Sequence, residues 1–213
     1  YSDLFFMLKE LEKLGWPKEH LQIIDLGGGI PPMQTGDEYL LREYASAIRS
    51  LLSISNISAM KIKLQIEPGR SICEKFGYLF GKVSARKSRR DGELLFLNIG
   101  KNLLPSAGAR AKQIIHVSGA NPDGMKLNSS KQYKVYGHQC FERDEIVGSF
   151  NPGHKVLGGD IIGFNNVGSY DFSTALLWNH DHPPVYGISE GKIIKLRDKI
   201  SPSLMRLRDT VTI

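Results

Sequence analysis

The chain has 213 residues, 41% of them hydrophobic and 23% charged, enough to bury a real core in one large domain or two small ones. It offers no apolar run of membrane-spanning length, no basic-then-apolar leader and no C-x-x-C pair, since its two cysteines, Cys73 and Cys140, stand far apart. That usage predicts a reducing, cytoplasmic interior with neither disulfide framework nor metal site, and the formal charge of +6 gathers only at Arg86-Lys87-Ser88-Arg89-Arg90 and in a tail from Lys192 to Arg208. Without a nucleic-acid fold motif beside it, this charge reads as a solvated loop and tail, or as a field favouring anionic ligands, before it reads as a nucleic-acid surface.

Residues 3–15 set Leu4, Leu8, Leu11 and Leu14 near helical spacing. The chain opens on Tyr1, within what reads as the start of this helix, and without a methionine; an upstream beginning is expected. Leu21 to Leu26 is a short apolar run stopped by Gly27-Gly28-Gly29, as suits a buried parallel strand. A second amphipathic helix is predicted over 37–53, with Tyr39, Leu40, Tyr44, Ile48 and Leu52 on one side. Ile62 to Ile66 reads as the next strand and ends at Glu67-Pro68-Gly69-Arg70, which completes a βαβ pattern.

From about residue 78 the pattern changes to short β-prone runs: Leu79–Ser84, Leu94–Ile99, Lys134–Tyr136, Asp160–Phe164 and Gly191–Leu196. Turn-rich stretches such as Gly119 to Gly124 separate them, and the whole predicts an antiparallel β domain. The boundary falls near residue 80, giving an α/β part over 1–80 and a β-rich part over 81–213.

Three glycines after a strand let backbone N–H groups converge on a phosphate, although the same residues can form an ordinary tight turn. The spacing is neither that of a dinucleotide-binding fingerprint nor that of a phosphate-binding loop with its lysine. Glu67 and Arg70 could be a local ion pair. At the end of a neighbouring strand they could equally serve a ligand, because β/α barrels meet ligands at the C-terminal strand ends. There Arg70 would neutralise a phosphate and Glu67 would hold a protonated ring nitrogen.

Together, Ile24-Asp25-Leu26-Gly27-Gly28-Gly29-Ile30-Pro31 and Glu67-Pro68-Gly69-Arg70 resemble motifs of the ornithine/diaminopimelate/arginine decarboxylases, pyridoxal-phosphate enzymes of fold type III with an alanine-racemase-like barrel. Gly137 to Asp144 is similar to that family's glycine-x-x-cysteine-x-x-x-aspartate loop, and Gly159 to Tyr170 to its glycine-aspartate and glycine-x-tyrosine element. The motifs run in family order from about residue 20 to 180. The resemblance implies the C-terminal portion of a TIM-like barrel followed by an antiparallel β-barrel or sandwich domain.

It further implies that Gly27, Gly28, Gly29, Gly69, Arg70 and Tyr170 bind pyridoxal 5'-phosphate, with Glu67 at the pyridine nitrogen. Cys140 would assist protonation of the substrate carbon after carbon dioxide leaves, acting across a homodimer interface, while Asp144 would order the loop or the interface. The substrate would be an amino acid, met near Phe141 and Glu142.

Three departures shape this expectation. A complete barrel takes roughly 250 residues, so the Schiff-base lysine is expected on a missing N-terminal half; Lys61 and Lys63 flank a late strand and do not take its place. Phe141 stands where many members carry an acid for the distal amine of a basic substrate; members with carboxynorspermidine-like or other unusual substrates also lack it, so a variant specificity is expected within a diaminopimelate, ornithine or carboxynorspermidine-like range, with Glu142 as a substitute if the loop shifts. Asn98 stands where the family often has aspartate. A non-catalytic regulatory homologue and a related racemase are the alternatives. A regulator would not need Glu67, Arg70, Cys140 and Tyr170 as a set, and the Cys140 loop follows the decarboxylase pattern.

Overall fold

The computed structural model describes residues 2–17, 20–32, 38–54, 62–90, 92–109, 114–117, 132–178 and 180–203. Outside these lie the predicted turn at Gly119 to Gly124, Lys61, Asp37 at the expected start of the second helix, and the tail beyond Ser203. The chain divides into two compact units, Tyr1–Glu74 and Lys75–Ile213. No helix of the described residues is long and apolar enough to cross a membrane.

In the first unit, α1 spans Ser2–Lys13, with Asp3 in its first turn and Lys13 in its last, both favourable to the helix dipole. It stops short of residue 15 because the chain turns back: the Trp16 N–H donates to the Leu11 carbonyl at 3.0 Å. Leu8 is consequently buried, whereas Leu14, expected on the same face, is 80% exposed. Strand β1 (Ile23–Asp25) pairs in parallel with β2 (Lys63–Gln65), and α2 (Glu38–Ile54) lies between them in sequence. Leu8 and Ile24 form the small core here, flanked by Leu4, Leu21, Leu26, Leu52 and Ile62.

The pairing is the predicted βαβ unit, but the strands are not buried as parallel strands usually are. Only Ile24 of β1 is covered; Ile23 is 51% exposed, and Leu64 and Ile66 at β2 are 44% and 47% exposed. Parallel sheets normally carry cover on both faces, and the described residues of this unit cover just one side chain of the pair.

The second unit is built on a six-stranded sheet of order β5-β8-β3-β4-β6-β7, from β3 (Leu79–Arg89), β4 (Gly92–Leu97), β5 (Ile114–Val117), β6 (Tyr133–Tyr136), β7 (Glu145–Phe150) and β8 (Ile161–Phe164). The expectation of an antiparallel domain needs one correction, since β4 and β6 run parallel with Leu95 opposite Val135. Parallel neighbours require a long crossover, and the chain supplies it by passing through β5 between them. Val83, Leu95, Leu97, Leu104, Val135, Ile162 and Phe164 fill the core.

The basic run, expected as a loop, belongs to β3. Its Arg86 faces the buried Glu93 at 3.4 Å, and Ser88 donates to the same carboxylate at 2.8 Å. A separate antiparallel hairpin, β9 (Val185–Ser189) with β10 (Lys192–Arg197), follows the short helix α4 (Asp171–Thr174).

Candidate active site

The first unit brings its two motifs onto one rim. The Glu67 N–H donates to the Gly27 carbonyl at 2.8 Å, and an Arg70 Nη2 hydrogen donates to the Gly29 carbonyl at 3.3 Å. The approach is so close that a Cβ at Gly28 would stand 2.7 Å from the Glu67 carbonyl oxygen. Gly27 and Gly29 adopt φ of 66° and 86°, the left-handed region that glycine enters without strain, and a Cβ at either would meet nothing within 4 Å. The bend therefore has an open flank of small residues beside a guanidinium, the combination an anion needs.

Two residues outside the expected set shape this bend. One Asp25 carboxylate oxygen accepts from the Gly27 N–H at 2.8 Å, and the other accepts from Gln65 Nε2 at 2.6 Å. An aspartate two residues before the amide it binds is a standard turn former, so the signal was present directly ahead of the glycines. Beyond the rim, the Gly69 carbonyl accepts from the N–H groups of Ile72 and Cys73 and so opens the short helix α3 (Arg70–Cys73). Arg70 also lies 3.9 Å from the buried Glu74. The Glu67 carboxylate is exposed on the same rim.

Cys140, Phe141, Glu142 and Asp144 share one loop of the second unit. Asp144 is 2% exposed, and its carboxylate accepts from the backbone N–H of Lys101 and of Gln139, each at 2.7 Å. Its backbone closes the loop too, with Gly137 N–H donating to the Asp144 carbonyl at 2.9 Å. Gly137 is needed because a Cβ there would sit 2.4 Å from Gly100 Cα. Thus held, Cys140 is exposed as a free thiol, with Glu142 also in solvent. Phe141 stacks on Trp178 with centroids 5.8 Å apart, and His138 stacks on His180 at 3.6 Å. Burial, and then the neighbouring imidazole of His180, hold His138 below the ordinary histidine range against the opposing pull of Asp144.

Tyr170 opens α4 with φ of 62°, a conformation that costs a bulky residue on the order of 1–3 kcal/mol and tends to mark functional positions. Its carbonyl accepts from the Thr174 N–H at 2.8 Å, and its ring is 50% exposed. Asp171 beside it is buried and accepts from the Ser106 N–H and hydroxyl at 2.9 and 2.8 Å. Asn102 and Leu176 exchange two further bonds, of 2.8 and 3.1 Å. Residues 100–107 thereby fasten both the Cys140 loop, through Lys101, and the Tyr170 element. Sequence reading missed this hub, since its residues form no motif. Asn98 is structural: its Oδ1 accepts from the Lys82 N–H at 2.7 Å.

The fold is similar to that of several solved amino-acid decarboxylases. The diaminopimelate decarboxylase of Methanocaldococcus jannaschii, solved in co-complex with L-lysine, superposes with a TM-score of 0.72 at 23% identity over 96% of this chain and 46% of that one. The arginine decarboxylase of Paramecium bursaria Chlorella virus, bound to agmatine, gives 0.65 at 17% identity over 82% of this chain and 47% of its own.

No known protein-family profile matches the chain. Among curated sequences it is 26% identical over 170 residues to ornithine decarboxylase 2 of Drosophila melanogaster, covering 75% of this chain and 40% of the fly enzyme. It is 28% identical over 162 residues to the diaminopimelate decarboxylase of Helicobacter pylori, covering 75% and 37%. The chain is thus similar to ornithine and diaminopimelate decarboxylases over three quarters of its own length, and it spans about two fifths of the length of these curated relatives.

Proposed function

We propose that this chain is the C-terminal part of a pyridoxal-phosphate-dependent amino-acid decarboxylase. The observation that carries the reading is the joined rim of the first unit, where the Gly28 bend lies against the Glu67 carbonyl and Arg70 reaches Gly29. That rim suits a coenzyme with an anion at one end and a basic heterocycle at the other. The residues of this rim fit: Gly27, Gly28, Gly29, Gly69 and Arg70 would hold the phosphate, and Glu67 would keep the proton on the ring nitrogen; Tyr170 is proposed for the phosphate from its motif alone. When bound, pyridoxal 5'-phosphate supplies the electron sink that lets the substrate carboxylate leave.

The chain's own residues do the rest. Arg70 neutralises phosphate charge, and Glu67 holds a positive heterocycle by a charge-assisted hydrogen bond. Cys140, exposed on a loop that Asp144 fixes from within, would return a proton to the substrate carbon from across a homodimer interface, with Asp144 ordering the loop or that interface. Phe141, stacked on Trp178, stands where many relatives offer an acid, which argues against recognition of plain lysine, ornithine or diaminopimelate in the usual way.

In this reading residues 1–80 finish the barrel and 81–213 form the second domain. The half-exposed apolar side chains Ile23, Leu64 and Ile66 support further barrel strands beside β1 and β2. The lysine that carries the coenzyme would lie on those strands, so the 213 residues alone would be inactive. Glu67→Gln in the complete enzyme tests the assignment. Coenzyme affinity should stay within a few-fold while kcat falls on the order of 10²-fold or more. Near-normal turnover would refute the role of Glu67.

A further inference from the structure

Cys140 sits between two aromatic stacks, and both partners come from one short segment. His138, two residues before it, lies face to face with His180 at 3.6 Å and an interplanar angle of 17°. Phe141, one residue after it, lies on Trp178 at 5.8 Å and 28°. The partner segment is itself fixed. Leu176 is bonded both ways to Asn102, the His180 N–H donates to the Leu177 carbonyl at 2.8 Å, and Asp181 is paired with Lys199 at 2.5 Å. Trp178 accepts φ of 37° to hold its place, a backbone state that side chains other than glycine's rarely adopt.

A hydrogen bond through Nε2 does not explain the position of His138. That atom is buried and has no partner among the described residues. The ring face is what engages. Asp144 fastens the loop through backbone amides alone, at Lys101 and Gln139; it leaves the side chains around the thiol to be placed by something else.

We propose that His180, with Trp178 beside it, is a positioning residue that sets the Cys140 thiol by stacking on the side chains flanking it. This rests on the reading of Cys140 as the group beside the substrate carbon. Two imidazolium rings face to face repel, so the stack holds with at most one proton. The charged groups around it are Asp144 on the loop, which favours protonation of His138, and Asp181 next to His180, already engaged by Lys199.

The test uses the full-length enzyme and two readouts: kcat and KM, and the rate at which iodoacetamide alkylates Cys140, followed on its own peptide by mass spectrometry. In His180→Ala, kcat should fall about tenfold or more with KM within about twofold, and the alkylation rate should shift about threefold or more. The double variant His138→Phe, His180→Phe keeps ring on ring without protons. It should return both readouts to within about threefold of the parent. If His180→Ala fails to fold, Trp178→Ala is read by the same measures.

Unchanged kcat and alkylation in His180→Ala overturn the proposal, as does a Phe–Phe pair as defective as alanine. Alkylation needs no turnover. A Cys140→Ala enzyme with unimpaired kcat would therefore overturn the reading of Cys140, while the fastening would still stand or fall on the thiol's reactivity.

Discussion

Removing the Asp144 carboxylate is the sharpest perturbation available in the second unit. The group is 2% exposed and accepts two backbone N–H bonds of 2.7 Å, from Lys101 and Gln139. Hydrogen bonds to a charged group contribute about 1.5–3 kcal/mol each, and a buried donor left without an acceptor costs about 1–3 kcal/mol. Asp144→Ala removes both acceptors and leaves both donors enclosed, so about 3–5 kcal/mol should be lost. Asp144→Asn keeps one carbonyl oxygen and turns an amide hydrogen toward the other N–H, for a loss of about 2 kcal/mol. At about 2–4 °C per kcal/mol for a protein of this size, Tm should fall on the order of 10 °C in the alanine variant and about half that in the asparagine variant. Thermal unfolding of the full-length protein measures this, with Glu142→Ala as the exposed control, expected to change stability by less than about 0.5 kcal/mol. An Asp144→Ala protein melting within about 2 °C of the parent would refute the claim that this carboxylate organises the loop.

Gly28→Ala would press a Cβ to 2.7 Å from the Glu67 carbonyl, a backbone atom that cannot swing aside, so the rim must part. Coenzyme titration of the full-length enzyme should show affinity weakened about tenfold or more, equivalent to about 1.4 kcal/mol; unaltered affinity would separate the bend from the phosphate. His138 supplies a pH dependence. Its folded-state pKa lies below the unfolded value, so the unfolded chain takes up the proton first. The contribution is intact above about pH 6.5 and is lost as pH falls from there through the folded pKa. The midpoint of urea unfolding should therefore drop more steeply between about pH 7 and 5 in the parent than in His138→Phe. Equal slopes would show that the imidazole is not kept neutral by the fold.

What could be read from the sequence were features whose cause is local. The βαβ unit follows from hydrophobic spacing, and the adjacency of Gly28 and Glu67 follows from two parallel strands ending side by side. Legibility failed where partners are distant. Strands β5, β7 and β9 were not foreseen, and β5 is the crossover that makes β4 and β6 parallel. The run Arg86 to Arg90 looked like a solvated loop because its counter-charge, Glu93, faces it only once β3 and β4 pair. The strand over Leu21 to Leu26 was expected to be buried from its own composition, yet burial depends on neighbours, and Ile23 lies half in solvent.

Phe141 shows what that distinction means for function. As a letter after a cysteine it says only that an acid is absent. Stacked on Trp178 it becomes half of a surface, and Trp178 lies on the same segment whose His180 covers His138 on the other side of Cys140. The thiol's setting is thus decided by residues that follow Tyr170, which carry no motif of their own. Because Asp171 and Leu176 tie that segment to Ser106 and Asn102, and Lys101 of the same stretch binds Asp144, a displacement at the Tyr170 element is carried to Cys140 by two routes. One route runs through rings and the other through backbone amides. A displacement of Tyr170 would therefore move the thiol with it, and substitutions in residues 100–107 should alter turnover without touching substrate.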